Sequence, residues 1–248
     1  MKPAVDNNFY VLPENAGNDR FILSHDEFHH AVNVFRINQG DVIISVDGTG
    51  NEYTGQVREI RSRLKEVEVA IIKKRLKPNE PFIDTTLIQA VLKGERFEYC
   101  IEKAVEIGVN RIIPVRTDRT ITGVTQQKLQ RWRKIAISAM KQSGRSVLPD
   151  ITGEVPWNSL HNILPESCVK FVLQAESRQT LKELMKSSRS REGLKSYCIA
   201  VGPEGDFTGK EIEYALQLHF IPVNLGPRRL RSDTAGISAL SYILIGDI

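Results

Sequence analysis

VGPEGDF, Val201 to Phe207, closes the apolar run Tyr197-Cys198-Ile199-Ala200 and leads into a helix-like segment. Gly202 and Gly205 can take backbone angles closed to other residues, and Pro203 fixes the turn between them. The main chain can therefore pass close to another body at this strand end. A tight strand-to-helix turn would account for the same residues without any ligand. A second stretch of this kind follows, Leu225-Gly226-Pro227-Arg228-Arg229-Leu230-Arg231-Ser232-Asp233-Thr234-Ala235. There a strand ends in Gly-Pro, arginines crowd the next positions, and an apolar helix starts at once. Arginines beside a helix N-terminus oppose the macrodipole, which favours anions. Such a loop serves a partner carrying negative charge, the alternative being a merely cationic turn.

Working outward from these turns, apolar runs at Thr85 to Val91, Arg111 to Val115, Lys170 to Gln174, Tyr197 to Val201 and Pro222 to Leu225 alternate with amphipathic segments. One such segment carries Phe97, Ile101, Ala104, Val105 and Gly108 at helical spacing. Another carries Leu129, Trp132, Ile135, Ala136 and Ala139. Thr208 with Glu211 makes a capping box, and Ser232 to Ile245 is apolar nearly all round, starting at Ser232-Asp233. The alternation predicts an α/β domain with a parallel sheet covered on both faces. In such a sheet ligands collect where strands end and loops begin, so the turns after Val201 and Leu225 are the natural site.

The first 76 residues read differently. Asp41 to Val46 and Glu52 to Val57 are β-branched runs joined by Asp47-Gly48-Thr49-Gly50, a hairpin signal, and Lys65 to Ile72 is a third run. One helix would start after Ser24, bury Phe28, Val32 and Phe35, and end near Asn38-Gln39-Gly40. Lys73 to Pro81, charged and holding two prolines, suits a linker. The domains expected are 1–76 and 77–248.

The 248 residues, 41% apolar and 26% charged, are ordinary for a folded soluble protein. No apolar stretch approaches the roughly 18 residues that span a bilayer, and the N-terminus lacks a signal-peptide core, so the cytoplasm is expected. Cys100, Cys168 and Cys198 are odd in number, far apart in sequence and set in apolar runs, which predicts reduced core thiols, no disulfide and no cysteine zinc site. The net charge of +4 is unevenly spread: Arg111 to Arg145 holds nine basic residues against Asp118 alone, so the remainder is net acidic. That concentration suits a surface that neutralises phosphates; a solvated helix face would give a weaker version of it.

Familiar motifs are excluded by their spacing. Gly205-Asp-Phe-Thr-Gly209-Lys210-Glu211 is one residue short of a P-loop and has Glu211 where a magnesium-binding hydroxyl belongs. Gly48-Thr-Gly50-Asn-Glu-Tyr53 lacks the third glycine of a dinucleotide fingerprint and lies in a hairpin. His25-Asp26-Glu27-Phe28-His29 nears a zinc-protease helix, but its glutamate is displaced and no third ligand is evident. It reads as a solvated or RNA-facing helix end, and no metal is expected. His161 and His219 read as structural.

Val201-Gly-Pro-Glu-Gly205, followed about twenty residues later by Leu225-Gly226-Pro-Arg-x-Leu230-Arg231-x-x-Thr234-Ala235, resembles the C-terminal signature of the RsmE-type methyltransferases. These methylate N3 of a uridine in 16S RNA of the small ribosomal subunit. Lys93-Gly94-Glu95-Arg96, Glu102 to Val109, Arg131-Trp132 with Gln142 to Arg145, and, nearer the N-terminus, His29-His30, Phe35-Arg36, Gly40-Asp41 and Asp47-Gly48 extend the resemblance over nearly the whole chain. Asp206 stands where the family commonly has a third glycine, Asp233 replaces a usual glutamate, Arg229 an apolar residue, and Phe35 a leucine.

The resemblance implies a SPOUT domain, in which the chain threads a trefoil knot, preceded by a small PUA-like β-barrel that grips RNA. It implies S-adenosylmethionine as cofactor, a homodimer, and 16S RNA or the assembled small subunit as partner, with no membrane and no metal. Leu173, Gly202, Pro203, Glu204, Gly205, Leu225, Gly226, Leu230, Arg231, Thr234 and Ala235 would hold the cofactor. Arg231 would stabilise the uracil anion, and Glu204 would serve as base or loop anchor. Arg20, His29, Arg36, Arg131 and Arg145 are the candidate phosphate contacts. Two alternatives stay open: a SPOUT methyltransferase acting on another RNA or base, and a knotted RNA-binding assembly factor without catalysis.

Overall fold

The computed structural model describes residues 8–165, 167–188 and 196–245. They form two compact units, one of the residues up to Glu80 together with Ile137–Leu148, the other of Pro81–Ala136 and the residues from Pro149. The sequence boundary at 76 lies four residues before this division, and the return of 137–148 to the first unit had no counterpart in the sequence reading.

The first unit carries β1 (Asn8–Tyr10), β2 (Arg20–Ser24), β3 (Val42–Val46), β4 (Asn51–Arg61) and β5 (Glu66–Leu76), with α1 (His25–His29) continued by a wider turn, His30–Val34. One five-stranded sheet runs β1-β3-β4-β5-β2, antiparallel except for β1 beside β3. Lys73 to Leu76, expected as linker, instead continues β5, pairing with β4 as far as Asn51. Alternate residues of every strand meet in one core of Phe9, Phe21, Leu23, Ile43, Tyr53, Val57, Val67 and Val69, closed by Phe28 and Ala31. Val32 and Phe35, expected in that core, pack at its margin because the wide turn rotates them off the helical face. Gly55 sits at a register shift between β4 and β5, where a Cβ would lie 2.5 Å from Val69 Cγ1 and 2.9 Å from the Ala70 carbonyl.

The hairpin after β3 is knit by Asp47, 3% exposed. Its carboxylate accepts from the Thr49 and Asn51 amides, the Asn51 side chain at 2.7 Å and the Tyr53 hydroxyl at 3.0 Å. Burial alone would raise its pKa, but the hydrogen bonds from Asn51 and Thr49 outweigh it and hold the carboxyl below its ordinary value. Burial and the Asp47 charge push Tyr53 up to about 12. A depressed carboxyl contributes stability that is present above the unfolded value near 3.8 and lost as pH falls through the folded one; a raised phenol loses its share as pH climbs from 10 toward 12. Asp47→Asn should therefore lower stability at neutral pH by about 1–3 kcal/mol and flatten the acid limb of a pH series of urea unfolding curves. An acid limb unchanged from wild type would refute this account.

The second unit is an α/β layer structure. Its strands are β6 (Asp84–Ala90), β7 (Arg111–Arg116), β8 (Asp150–Ile151), β9 (Val155–Pro156), β10 (Val169–Leu173), β11 (Ser196–Val201) and β12 (Ile221–Val223). The helices are α2 (Arg96–Ile107), α3 (Gln126–Gln142), within which the division of units falls, α4 (Leu181–Ser188), α5 (Gly209–Gln217) and α6 (Ser232–Leu244). The seven-stranded sheet is parallel throughout, in the order β12-β10-β11-β6-β7-β8, with β9 also on β7. Its strands alternate in side-chain direction. Ile88, Ala90, Cys198 and Ala200 face the layer holding Trp157, Phe207, Ala215 and Phe220. Leu87 and Val201 face α6, which approaches closely enough that a Cβ on Gly236 would lie 3.4 Å from Leu87 Cδ1. From β12 at the sheet edge the chain crosses back to lay α6 on β11, β6 and α2.

The three cysteines are free, yet Cys168 Sγ lies 3.1 Å from Cys198 Sγ, since adjacent strands bring together what the sequence separates. No helix among the described residues is long and apolar enough to cross a membrane. Nor do those residues hold a group of three or more His, Cys, Asp or Glu that could bind a metal. Glu27 instead accepts from Lys141 Nζ at 2.6 Å and from the Tyr10 amide at 3.2 Å, while His29 Nδ1 meets Asn33 Nδ2 at 2.9 Å.

Candidate active site

Three neighbouring strands, β12, β10 and β11, end side by side, and the loops leaving them enclose a cavity of about 380 Å³. Leu173, Gln174 and Ala175 line it after β10, Val201 to Glu204 and Asp206 after β11, and Val223 to Gly226 with Arg228 to Ser232 after β12. Ala235 of α6 completes the wall. The strand-end rule applied to the sequence finds its counterpart here, because three crossovers leave a cleft where their loops diverge.

Of the residues expected to hold a cofactor, Leu173, Gly202, Pro203, Glu204, Leu225, Gly226, Leu230, Arg231 and Ala235 line this cavity. Gly205 and Thr234 do not. Gly205 lies under Arg119, whose Cδ a Cβ there would meet at 3.1 Å, and Thr234 is exposed on α6 with its hydroxyl toward Asp233. Gln174, Ala175, Val201, Asp206, Val223, Asn224, Arg228, Arg229 and Ser232 also line the cavity without having been expected there; they lie in or follow the apolar runs Lys170 to Gln174, Tyr197 to Val201 and Pro222 to Leu225.

The geometry suits an adenosyl ligand. The volume falls in the roughly 300–1,000 Å³ range of small-molecule sites, and Leu173, Val201, Val223, Leu225 and Leu230 supply apolar walls. Gly226 has φ +108° with nothing within 4 Å of a Cβ position, so its main chain is open to close approach. Asp206 holds φ +66°, a left-handed conformation that glycine takes freely and aspartate tolerates. Its carboxylate accepts from the Phe207 amide at 2.8 Å, which keeps the turn without the family's third glycine.

Charge at the cavity mouth is arranged by contacts that no spacing announces. Arg96 Nη1 lies 3.4 Å from Glu204 Oε1, both side chains nearly half exposed. Arg119 donates to the Gly205 carbonyl. Buried Glu211 holds that arginine's loop in place, accepting from the Asp118 amide at 2.8 Å and from the Thr208 amide at 2.7 Å, while Thr208 caps α5 as expected. α6 starts at Ser232, as expected; Arg231 is its N-cap and makes no side-chain cap bond. Among the described residues Arg228, Arg229 and Arg231 form no ion pair.

The phosphate candidates divide. Arg20, His29 and Arg36 are exposed on the first unit, Arg20 lying 3.5 Å from Glu68. Arg131 is exposed on the second, 2.7 Å from Glu98. Arg145 is a correction. It is 2% exposed, and its guanidinium is taken up by Glu80 at 2.8 Å, so it offers no face to a phosphate.

A parallel sheet whose C-terminal helix returns to wall a glycine-rich cleft, in a chain that also carries a small β unit, defines the class: this is a SPOUT RNA methyltransferase with a PUA-type module. Residues 78–244 match the family described as RNA methyltransferase domain, and residues 23–70 the RNA methyltransferase PUA domain. The chain is 30% identical to Ribosomal RNA small subunit methyltransferase E of Aquifex aeolicus over 240 residues, 95% of this chain and 98% of the relative. It is 29% identical to the Buchnera aphidicola (Acyrthosiphon pisum) protein of the same name, over 96% and 93% of the two chains. The crystal structure of Ribosomal RNA small subunit methyltransferase E from Neisseria gonorrhoeae bound to S-adenosyl methionine superposes with a TM-score of 0.85 at 29% identity, over 96% of each chain. The chain belongs to the ribosomal RNA small subunit methyltransferase E family.

Proposed function

We propose that this S-adenosylmethionine-dependent ribosomal RNA methyltransferase transfers its methyl group to N3 of a uridine in 16S RNA of the small subunit. The observation that carries the reading is a cavity walled by three strand-end loops, with three arginines at its rim, Arg228, Arg229 and Arg231, that form no ion pair among the described residues. S-adenosylmethionine, when bound, supplies an electrophilic methyl on a sulfonium sulfur. Leu173, Leu225 and Leu230 would pack its apolar faces, and the main chain at Gly202 and Gly226 would meet its polar edges.

The imide proton of uracil is too weakly acidic to leave unaided at neutral pH. A base beside N3 and a cation beside the ring oxygens both lower that barrier. Glu204, lining the cavity with its carboxylate steadied by Arg96, is the group we assign to the proton, and Arg231 the group for the developing charge. Arg20, His29, Arg36 and Arg131 would bind flanking phosphates while the target base is turned out of its stack. Recognition of the assembled subunit, a homodimer and a cytoplasmic setting belong to the same proposal.

Incubating the protein with undermethylated small subunits and labelled cofactor, then digesting the RNA, should yield 3-methyluridine. Label in any other nucleoside overturns the N3 assignment. Glu204→Gln should slow single-turnover transfer by about 10²-fold or more, with cofactor affinity held. Stability should change by less than about 1 kcal/mol, because the ion pair with Arg96 is exposed. Weaker cofactor binding at an unchanged rate would make Glu204 a loop anchor instead.

A further inference from the structure

Gln89 is 0% exposed, on the face of β6 that α2 and α6 cover, and it takes no part in the cavity lining. Its amide is oriented by its neighbours. Nε2 donates to Ser232 Oγ at 2.8 Å and to the Ala90 carbonyl at 3.3 Å, while Oε1 accepts from the Cys100 thiol at 3.7 Å. Ser232 Oγ, having accepted that hydrogen, donates its own to the Gly202 carbonyl. Ser232 and Gly202 stand in different walls of the cavity, one at the head of α6 and the other after β11. Gly236 makes room for the arrangement, since a Cβ there would come within 2.9 Å of Gln89 Oε1.

We propose that Gln89 is a positioning residue for methyl transfer: through Ser232 it sets the separation of the Gly202 and α6 walls, and thereby the affinity for S-adenosylmethionine. The inference rests on the cavity being the cofactor site. The relay has a direction that only an amide supplies in the ordinary pH range. Leucine would fill the volume but offer Ser232 nothing. An ionised carboxylate can only accept, so in Gln89→Glu it would draw off the Ser232 hydrogen and leave the Gly202 carbonyl without its donor. Protonated, the same side chain donates again. Cys100 on α2 contacts this position and Asp233 on α6 acts on Cys100: burial and the Asp233 charge push the Cys100 thiol up to about 12, so it remains a donor. A carboxyl this deeply buried titrates upward, into the accessible range.

Titration calorimetry with S-adenosylmethionine on the full chain at pH 8 and pH 6 tests this. Wild type should bind alike at both, and no binding by wild type would refute the cofactor site itself. Gln89→Glu should bind about tenfold to hundredfold more weakly than wild type at pH 8, and recover at least threefold of that at pH 6. Wild-type affinity at pH 8, or a deficit equal at both pH values, overturns the relay. If thermal melting shows that variant unfolded, a cycle of Gln89→Leu and Ser232→Ala decides. The relay requires the double variant to bind no more weakly than the poorer single one, whereas additive losses refute it.

Discussion

Arg231→Ala should slow single-turnover methyl transfer by about 10²- to 10³-fold at saturating cofactor, the loss typical of one donor aimed at developing charge. Arg231 lines the cavity at the N-cap of α6, where a cation is opposed by the helix dipole, and it is steadied by no ion pair among the described residues. Under the proposed function, that charge gains its partner when the uracil ring becomes anionic. Arg231→Lys should recover part of the rate, since it keeps the charge and loses the planar fork. Rapid-quench measurement with labelled cofactor reads both variants, and an Arg231→Ala rate within threefold of wild type removes Arg231 from the chemistry.

Arg145→Ala should destabilise the first unit by about 3–5 kcal/mol, the cost of leaving a buried charge without its partner. Glu80 accepts from Arg145 Nε at 3.1 Å and Nη2 at 2.8 Å, and from the Ser146 and Val147 amides at 2.8 and 2.9 Å. The two side chains are only 3% and 6% exposed. The pair ties the segment 137–148 to the end of β5, with Leu148 reaching the Gly48 carbonyl and Lys77 the Gly50 carbonyl. Urea unfolding of the full chain measures the cost. Glu80→Gln combined with Arg145→Met should recover part of it, since no unpaired charge then stays buried. A loss below about 1 kcal/mol would place Arg145 back among the surface cations.

That residue shows where a sequence reading stops. Arg131 and Arg145 sit in the same basic run and look equivalent, yet one is exposed and the other buried. Charge density along the chain records how many cations there are, but not which face a carboxylate 65 residues away. Val32 and Phe35 make the same point for packing: a helical period assigned them to the core, and the wide turn after His29 carried them to its margin. Lys73 to Leu76 looked like linker by composition, because an exposed strand end needs no apolar alternation. Asp206 goes the other way. Its departure from glycine is absorbed by a left-handed backbone that its own carboxylate supports.

Taken alone, the amino-acid order determined the class of fold, the five principal strands of the parallel sheet, and the two strand-end turns that wall the cavity. Those features follow from local rules: apolar period, glycine and proline at turns, and a capping box at Thr208. Tertiary structure alone decided that Glu204 meets Arg96, that Arg119 covers Gly205, that Arg145 is buried, and that Gln89 reaches Gly202 through Ser232. The reason is physical. A hydrogen bond or ion pair between distant residues depends on the order in which strands are laid side by side, and nothing in the spacing of the residues along the chain encodes that distance.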